Sequence, residues 1–214
     1  MFAALLSLGA CGMVPDGKGK PGQTAKRSGA IASSPEARQC LASLRKTGAS
    51  FAPLPDQYHG KGCSTLNTVQ IDSFRGDYDS LGLSNIGPLT CSAANNFAAW
   101  ARFGVDRAAR AYLGSPLASI ETMGTYSCRN VAGSAKRSAH ARAAAIDVSG
   151  FVLKDGRHIS VLKDWNGGTR EEKQFLRTVQ DSACKRFGTV LGPDYNKAHH
   201  DHFHLEQGDG SFCR

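Results

Sequence analysis

Residues 138–147 read Ser138-Ala-His140-Ala-Arg142-Ala143-Ala-Ala145-Ile-Asp147, a run of small side chains in which a histidine and an aspartate seven positions apart are the exceptions. Two turns of helix, or a turn feeding a strand, would each return both side chains to one side of the backbone. Small neighbours let the chain pack closely behind such a pair. The other decisive stretch is His199-His200-Asp201-His202-Phe203-His204, which with His140 holds five of the chain's seven histidines. Here the spacing predicts a strand over 202–205, with His202 and His204 on the same face.

His140, Asp147 and His204 would together offer two imidazoles and one carboxylate. Such a set leaves the fourth tetrahedral position of a zinc ion open to water, as in catalytic rather than structural zinc sites. Zinc lowers the pKa of that water toward about 7 and polarises a bound carbonyl. The bland reading is that a lone histidine is usually a surface or hydrogen-bonded residue, and that a histidine-rich tract binds metal only adventitiously. The ten-residue motif and the downstream His-x-His favour the metal reading jointly, where either alone is weak. His59 and His158 read as ordinary surface residues.

Outward from these segments the pattern is mixed. Ser34-Pro35-Glu36 supplies a cap, an N1 proline and an acidic first turn ahead of Cys40, Leu41 and Leu44 at helical spacing. Extended segments are expected around Phe51 and through Thr68-Val-Gln-Ile71. From Ser92 to Leu113, Phe97, Trp100, Ala101, Ala108, Ala111 and Tyr112 recur at helical spacing, and Gly104 predicts a break or a paired helix. Strands follow at 119–126, 146–153 and 158–162, the last two joined by the hairpin signal Lys154-Asp155-Gly156-Arg157. Thr169-Arg-Glu-Glu172 opens a helix to about Phe187 that buries Phe175, Leu176, Val179 and Ala183. The expected class is α+β, an antiparallel sheet with helices packed on it.

The chain of 214 residues, 41% hydrophobic, suits one packed domain, assigned here to 34–214. It has no apolar run of eighteen residues. Residues 1–11 are apolar or small and end in Leu8-Gly9-Ala10-Cys11, which reads as a signal peptide with a lipobox-like cysteine, Cys11 being the lipidation site. No Lys or Arg precedes Lys18, so an ordinary apolar N-terminus or simple secretion is the alternative. Residues 12–33 are rich in Gly, Lys, Ser and Pro and read as a flexible linker. Setting Cys11 aside leaves Cys40, Cys63, Cys91, Cys128, Cys184 and Cys213, with no Cys-x-x-Cys pair, which points to disulfides in an oxidising compartment. The periplasm is expected, with an anchor in the envelope membrane. The simplest pairing joins sequence neighbours: Cys40 to Cys63, Cys91 to Cys128, Cys184 to Cys213. The net charge of +8 is spread along the chain without an aromatic-basic motif, so no nucleic-acid partner is expected. The charge suits attraction to an anionic envelope polymer or lipid surface, or is simply a solvated basic face.

At these residues the chain resembles zinc peptidases with the pattern Ser-x-His-x-x-Gly-x-Ala-x-Asp followed by His-x-His, among them D-Ala-D-Ala carboxypeptidases and murein endopeptidases. More narrowly, Gly124-Thr-Tyr-Ser-Cys128-Arg129, Leu191-Gly-Pro-Asp-Tyr-Asn196 and His200-Asp-His-Phe-His204, within a stretch from about Cys40 to Arg214, resemble the bacterial extensin-like C-terminal domain family. The proline-rich repeats of plant extensins are missing. The resemblance implies a hedgehog or D-Ala-D-Ala peptidase-like fold, Zn2+ held by His140, Asp147 and His204, and substrate contacts from Arg129 and Ser138. It implies action on peptidoglycan stem peptides or cross-links; nothing in the sequence suggests an obligate oligomer, so a monomer is expected. Ala143 stands where the motif has Gly, which requires a backbone conformation suited to an L-residue. Asp201 replaces the carboxypeptidase Glu, while His199-x-x-His202-x-His204 resembles the endopeptidase version. His202 is therefore the favoured general base, with Asp201 and His199 as competitors. The rival reading is a non-catalytic, zinc-containing wall-binding or structural envelope protein.

Overall fold

The computed structural model describes Met1 and residues 34–214; the expectations for Cys11, for the leader it ends and for the linker 12–33 fall outside the described residues. Helix α1 (Pro35–Lys46) begins at Ser34, whose Oγ accepts the Ala37 N–H. Strands β1 (Ser50–Pro53), β4 (Thr68–Arg75), β5 (Ser80–Ser84), β7 (Leu117–Gly124), β8 (Ala145–Leu153), β11 (Phe203–Glu206), β10 (Thr189–Leu191) and β12 (Phe212–Cys213) lie side by side in that order. Strand β6 (Leu89–Thr90) pairs with β4 and β9 (His158–Ser160) with β8, while β2 (Gln57–Gly60) and β3 (Cys63–Thr65) form a separate hairpin.

The class is α+β, but the large sheet is mixed rather than antiparallel. Strands β5 and β7 run parallel, as do β10 and β12. The first pair follows from what lies between them: α2 (Cys91–Trp100), a π-helical segment (Ala101–Asp106) and α3 (Arg107–Leu113) form a helical crossover of the kind a parallel pair requires. The break expected at Gly104 does not occur, because the chain stays helical through the wider π turns. Gly104 is a packing site instead, where a Cβ would collide with Ser182 Oγ of α5 (Arg170–Cys184).

Other boundaries move as well: the last strand, expected over 202–205, spans Phe203–Glu206, and the helix expected to reach Phe187 ends at Cys184. The strand expected to end at Leu162 stops at Ser160, whose hydroxyl accepts the Lys163 N–H and starts helix α4 (Val161–Gly167). The strand expected over 119–126 spans Leu117–Gly124. The other local signals hold: Thr169 and Glu172 form a reciprocal capping box at α5, and the Lys154–Arg157 turn joins β8 to β9 with Gly156 at φ +89°.

The core lies between the sheet and the helices. Phe74 meets Phe97 edge-on at 5.1 Å, Phe97 stacks on Trp100, Trp100 tilts against Phe151 at 6.1 Å, and Phe151 meets Phe175 at 5.2 Å. This chain of rings ties β4, α2, β8 and α5 together. Trp100 Nε1 donates to the Val179 carbonyl at 2.9 Å, so the largest buried ring brings no unpaired polar atom into the core.

Strand β8 serves both the core and the opposite face through a bulge. Thr122 pairs with Val148 and Glu121 with Gly150, so Ser149 is an extra residue on β8. The alternation therefore slips by one. Ile146, Val148 and Phe151 all join the core although Phe151 has the parity of Asp147.

All six cysteines of the described domain pair, and Cys184–Cys213 is as expected. The other two bonds are Cys40–Cys91 and Cys63–Cys128, not the neighbour pairs. Helix α1 packs against α2, which puts Cys40 beside the first residue of α2, and the β2–β3 hairpin lies against residues 139–142, with Arg137 Nε donating to the Lys61 carbonyl of its turn. Sequence proximity was the wrong guide, because the intervening strands carry the chain away and back.

Candidate metal centre

His140 sits on a one-turn 3-10 helix (Ala139–Arg142) just ahead of β8. Ser138 caps that turn, its buried Oγ accepting the His140 N–H at 3.3 Å. The turn ends at Ala143, which is left-handed at φ 53°, ψ 32°. The expectation of a conformation suited to an L-residue is thus corrected: this is the region glycine favours, and alanine there costs about 1 kcal/mol. The conformation is held from both sides. Ala143 N donates to the His140 carbonyl, and Thr90 N donates to the Ala143 carbonyl at 2.8 Å.

Asp147 is on β8 and His204 on β11, directly paired in the antiparallel ladder. Phe203 and Leu205 turn into the core, so the alternation of β11 aims His204 at the other face. His204 Nδ1 lies 2.8 Å from Asp147 Oδ1 and 3.2 Å from His140 Nε2, which is itself 3.2 Å from the Asp147 carboxylate. His140 Nδ1 is 2.9 Å from the Thr125 carbonyl. A carbonyl only accepts, so Nδ1–H is the donor and the lone pair of Nε2 faces Asp147 and His204.

Three electron-pair donors therefore converge, their ligand atoms all within 4.8 Å of one another. The arrangement is favourable only with a cation among them. Without metal, a proton takes that place. Burial opposes charging His204, but hydrogen bonding to Asp147 and Glu206 prevails and raises its pKa to about 9. Burial likewise pushes Asp147 up, yet the imidazoles of His140 and His204 beside it hold its carboxyl well below the usual carboxylate range. Two imidazole nitrogens and one carboxylate oxygen are a donor set that fits a divalent transition ion. His140 would ligate through Nε2, Asp147 through its carboxylate and His204 through Nδ1. His140 is 2% exposed, whereas Asp147 and His204 each retain 8%, so solvent reaches the donor set from their side.

His202 stands just before β11, 8% exposed, with Nε2 3.6 Å from Asp147 Oδ1. Its Nδ1 lies 2.8 Å from Asp201 Oδ1. The Asp201 carboxylate thus orients the ring, leaving Nε2 toward the cluster. His199 is packed against His202 and His204 at ring separations of 5.2 and 5.8 Å, with Nδ1 2.8 Å from Asn196 Oδ1. Burial, then the neighbouring His202 and His204 charges, lower its pKa to about 4. His200 faces outward, with Nδ1 bound to the Lys197 carbonyl. Arg129 lies at the rim, half exposed, with a guanidinium nitrogen 4.0 Å from Asp147 Oδ2.

The other two histidines stand apart from the cluster: His59 Nε2 pairs with Thr65 Oγ1 and His158 with Glu121. Sequence reasoning missed two contributors. The Thr125 carbonyl carries no side-chain signal at all. Glu206, whose carboxylate faces His204 Nε2 at 3.5 Å, continues the period-two series His202, His204, Glu206, and that extension was the available clue.

The model of the family described as Extensin-like protein C-terminus matches residues 38–214, and the chain belongs to that family. Neither curated proteins nor solved structures yield a match.

Proposed function

We propose that this member of the extensin-like C-terminal family is a zinc-dependent peptidase that hydrolyses peptide bonds of peptidoglycan, in stem peptides or cross-links. Its place would be the periplasm, tethered by a lipid on Cys11. One observation carries the proposal: His140 Nε2, the Asp147 carboxylate and His204 Nδ1 converge beside a histidine that is oriented by its own carboxylate.

Zinc bound there supplies polarisation of the scissile carbonyl and a water acidic enough to react at neutral pH. The chain's own residues do the rest. Asp201 accepts the Nδ1–H of His202, so Nε2 is the atom that takes a proton and later returns it to the departing amine. Asp201 is then a positioning residue and not the base. His199, neutral at pH 7 with its own Nδ1 engaged by Asn196, packs against both His202 and His204. Arg129 is half exposed at the rim, where a guanidinium can hold a substrate carboxylate or carbonyl. Ser138 acts through its cap on the His140 turn.

The test is release of muropeptides from purified peptidoglycan by the full chain, before and after chelation, and by His140→Ala and Asp147→Ala. Cleavage should vanish with chelator and in both variants while circular dichroism stays unchanged. Normal cleavage by both variants overturns the proposal. Tight zinc binding without any cleavage returns the protein to the non-catalytic wall-binding reading.

A further inference from the structure

We infer that Glu206 is a positioning residue that makes His204 a ligand through Nδ1, by accepting a hydrogen bond from the N–H of the opposite ring nitrogen. An imidazole can present either nitrogen to an ion, and something outside the donor set has to choose. For His140 the chooser is a backbone carbonyl, since Thr125 O can only accept and so commits Nδ1–H. For His204 the geometry is reversed. Nδ1 faces Asp147 and His140, and Nε2 faces the Glu206 carboxylate. A carboxylate there favours the tautomer with the proton on Nε2, leaving the Nδ1 lone pair for the ion.

The backbone gives this pair little freedom. Residues 204 and 206 lie on the same face of β11, which is hydrogen-bonded on one side to β8, with Glu206 opposite Ala145, and on the other to β10, with Glu206 opposite Thr189. Ala145 leaves room for the longer side chain on that face. Glu206 is half-buried, and among the described residues its ion-pair partner is His204. The two imidazoles are thus supported unequally: a neutral carbonyl behind His140, an anion behind His204. The anion makes His204 the more basic ligand, and loss of such outer partners typically weakens metal binding about 10- to 100-fold.

The inference rests on the metal-centre reading but not on catalysis, so its test needs no substrate. Zinc affinity of the full chain would be measured by competition with a chromophoric chelator, for the wild type, Glu206→Gln and Glu206→Ala. Imidazole tautomers would be read from nitrogen NMR of the metal-loaded proteins. The expected order is wild type, then Gln, then Ala, with Ala at least tenfold weaker and Gln between, because an amide oxygen still accepts the Nε2 proton without its charge. Wild-type affinity and an unchanged His204 tautomer in Glu206→Ala would overturn the inference while leaving the metal centre standing. A wild-type chain that binds no zinc would remove the metal centre, and this inference with it.

Discussion

On one face of β8 and β11, Ile146, Val148, Phe203 and Leu205 are wholly buried among apolar neighbours, Phe203 meeting Trp165 edge-on at 5.6 Å. On the other face, one residue away along the same two strands, Asp147, His204 and Glu206 meet one another and His140 through polar atoms. Apolar burial is non-directional and roughly proportional to area, so the first face is held by volume and survives small changes of shape. The second is held by atom-to-atom geometry in which every donor needs its acceptor. The core should therefore govern stability and the polar face metal affinity, with little crossover between them.

Trp100→Ala is the strongest test of that separation. It opens a cavity at the centre of the ring chain and removes the bond to Val179, so chemical denaturation should show a loss of about 3–5 kcal/mol. Asp147→Ala should abolish zinc binding yet, above about pH 9 where metal-free His204 has lost its proton, shift the metal-free unfolding midpoint far less. Comparable losses of stability in the two variants would break the comparison.

The Cys63–Cys128 bond closes a loop of 65 residues and pins the β2–β3 hairpin to the loop that carries Arg129. Replacing both cysteines by serine should cost about 4 kcal/mol on loop entropy, within the usual range of about 2–5. The loss would be read from thermal unfolding under oxidising conditions.

Proton competition sharpens the polar side. Metal-free His204 keeps its proton up to about pH 9, and the ion has to displace it. Zinc affinity, followed by chelator competition, should accordingly rise about tenfold per pH unit below that value and then level off. The stability His204 contributes to the metal-free protein runs the other way: its folded pKa is raised above 6.5, so the contribution is complete below that pH and fades as pH climbs through about 9. An affinity independent of pH between 7 and 9 would remove His204 from the ligand set.

The smallest effect is expected at Ala143→Gly. Relief of the left-handed alanine outweighs the extra freedom glycine gives the unfolded chain, so stability should rise by up to about 1 kcal/mol with zinc affinity unchanged. A destabilised variant would mean that the buried methyl contributes more than the backbone conformation costs.

Much of the local structure was legible. The Ser34 cap, the Thr169–Glu172 box and the Asp-Gly turn each depend on residues within a few positions, and all three stand where the sequence puts them. The ligand-type side chains at 140 and 147 stood out against small neighbours, and His204 within its histidine cluster, for the same reason. Helix α4 was missed because His158-Ile-Ser-Val-Leu162 satisfies a strand pattern as well as a capped helix, and only the packing of Val161 and Trp165 in the core decides between them. The parallel β5–β7 pair was missed because strand direction is set by where the crossover delivers the chain.

By itself, then, the sequence indicated the α+β class, the longer elements with their local caps and turns, and the His and Asp side chains that the fold brings together, while of its cysteine pairings only Cys184–Cys213 held. Only the tertiary structure decided which cysteine meets which of the other four, that a bulge at Ser149 lets one strand serve both core and site, and that Thr125 and Glu206 stand behind the two imidazoles. Caps and turns are encoded by contacts a few residues apart, where the backbone has few alternatives. Partners separated by tens of residues are chosen by the order of strands in the sheet, and that order follows from burying the whole apolar surface at once.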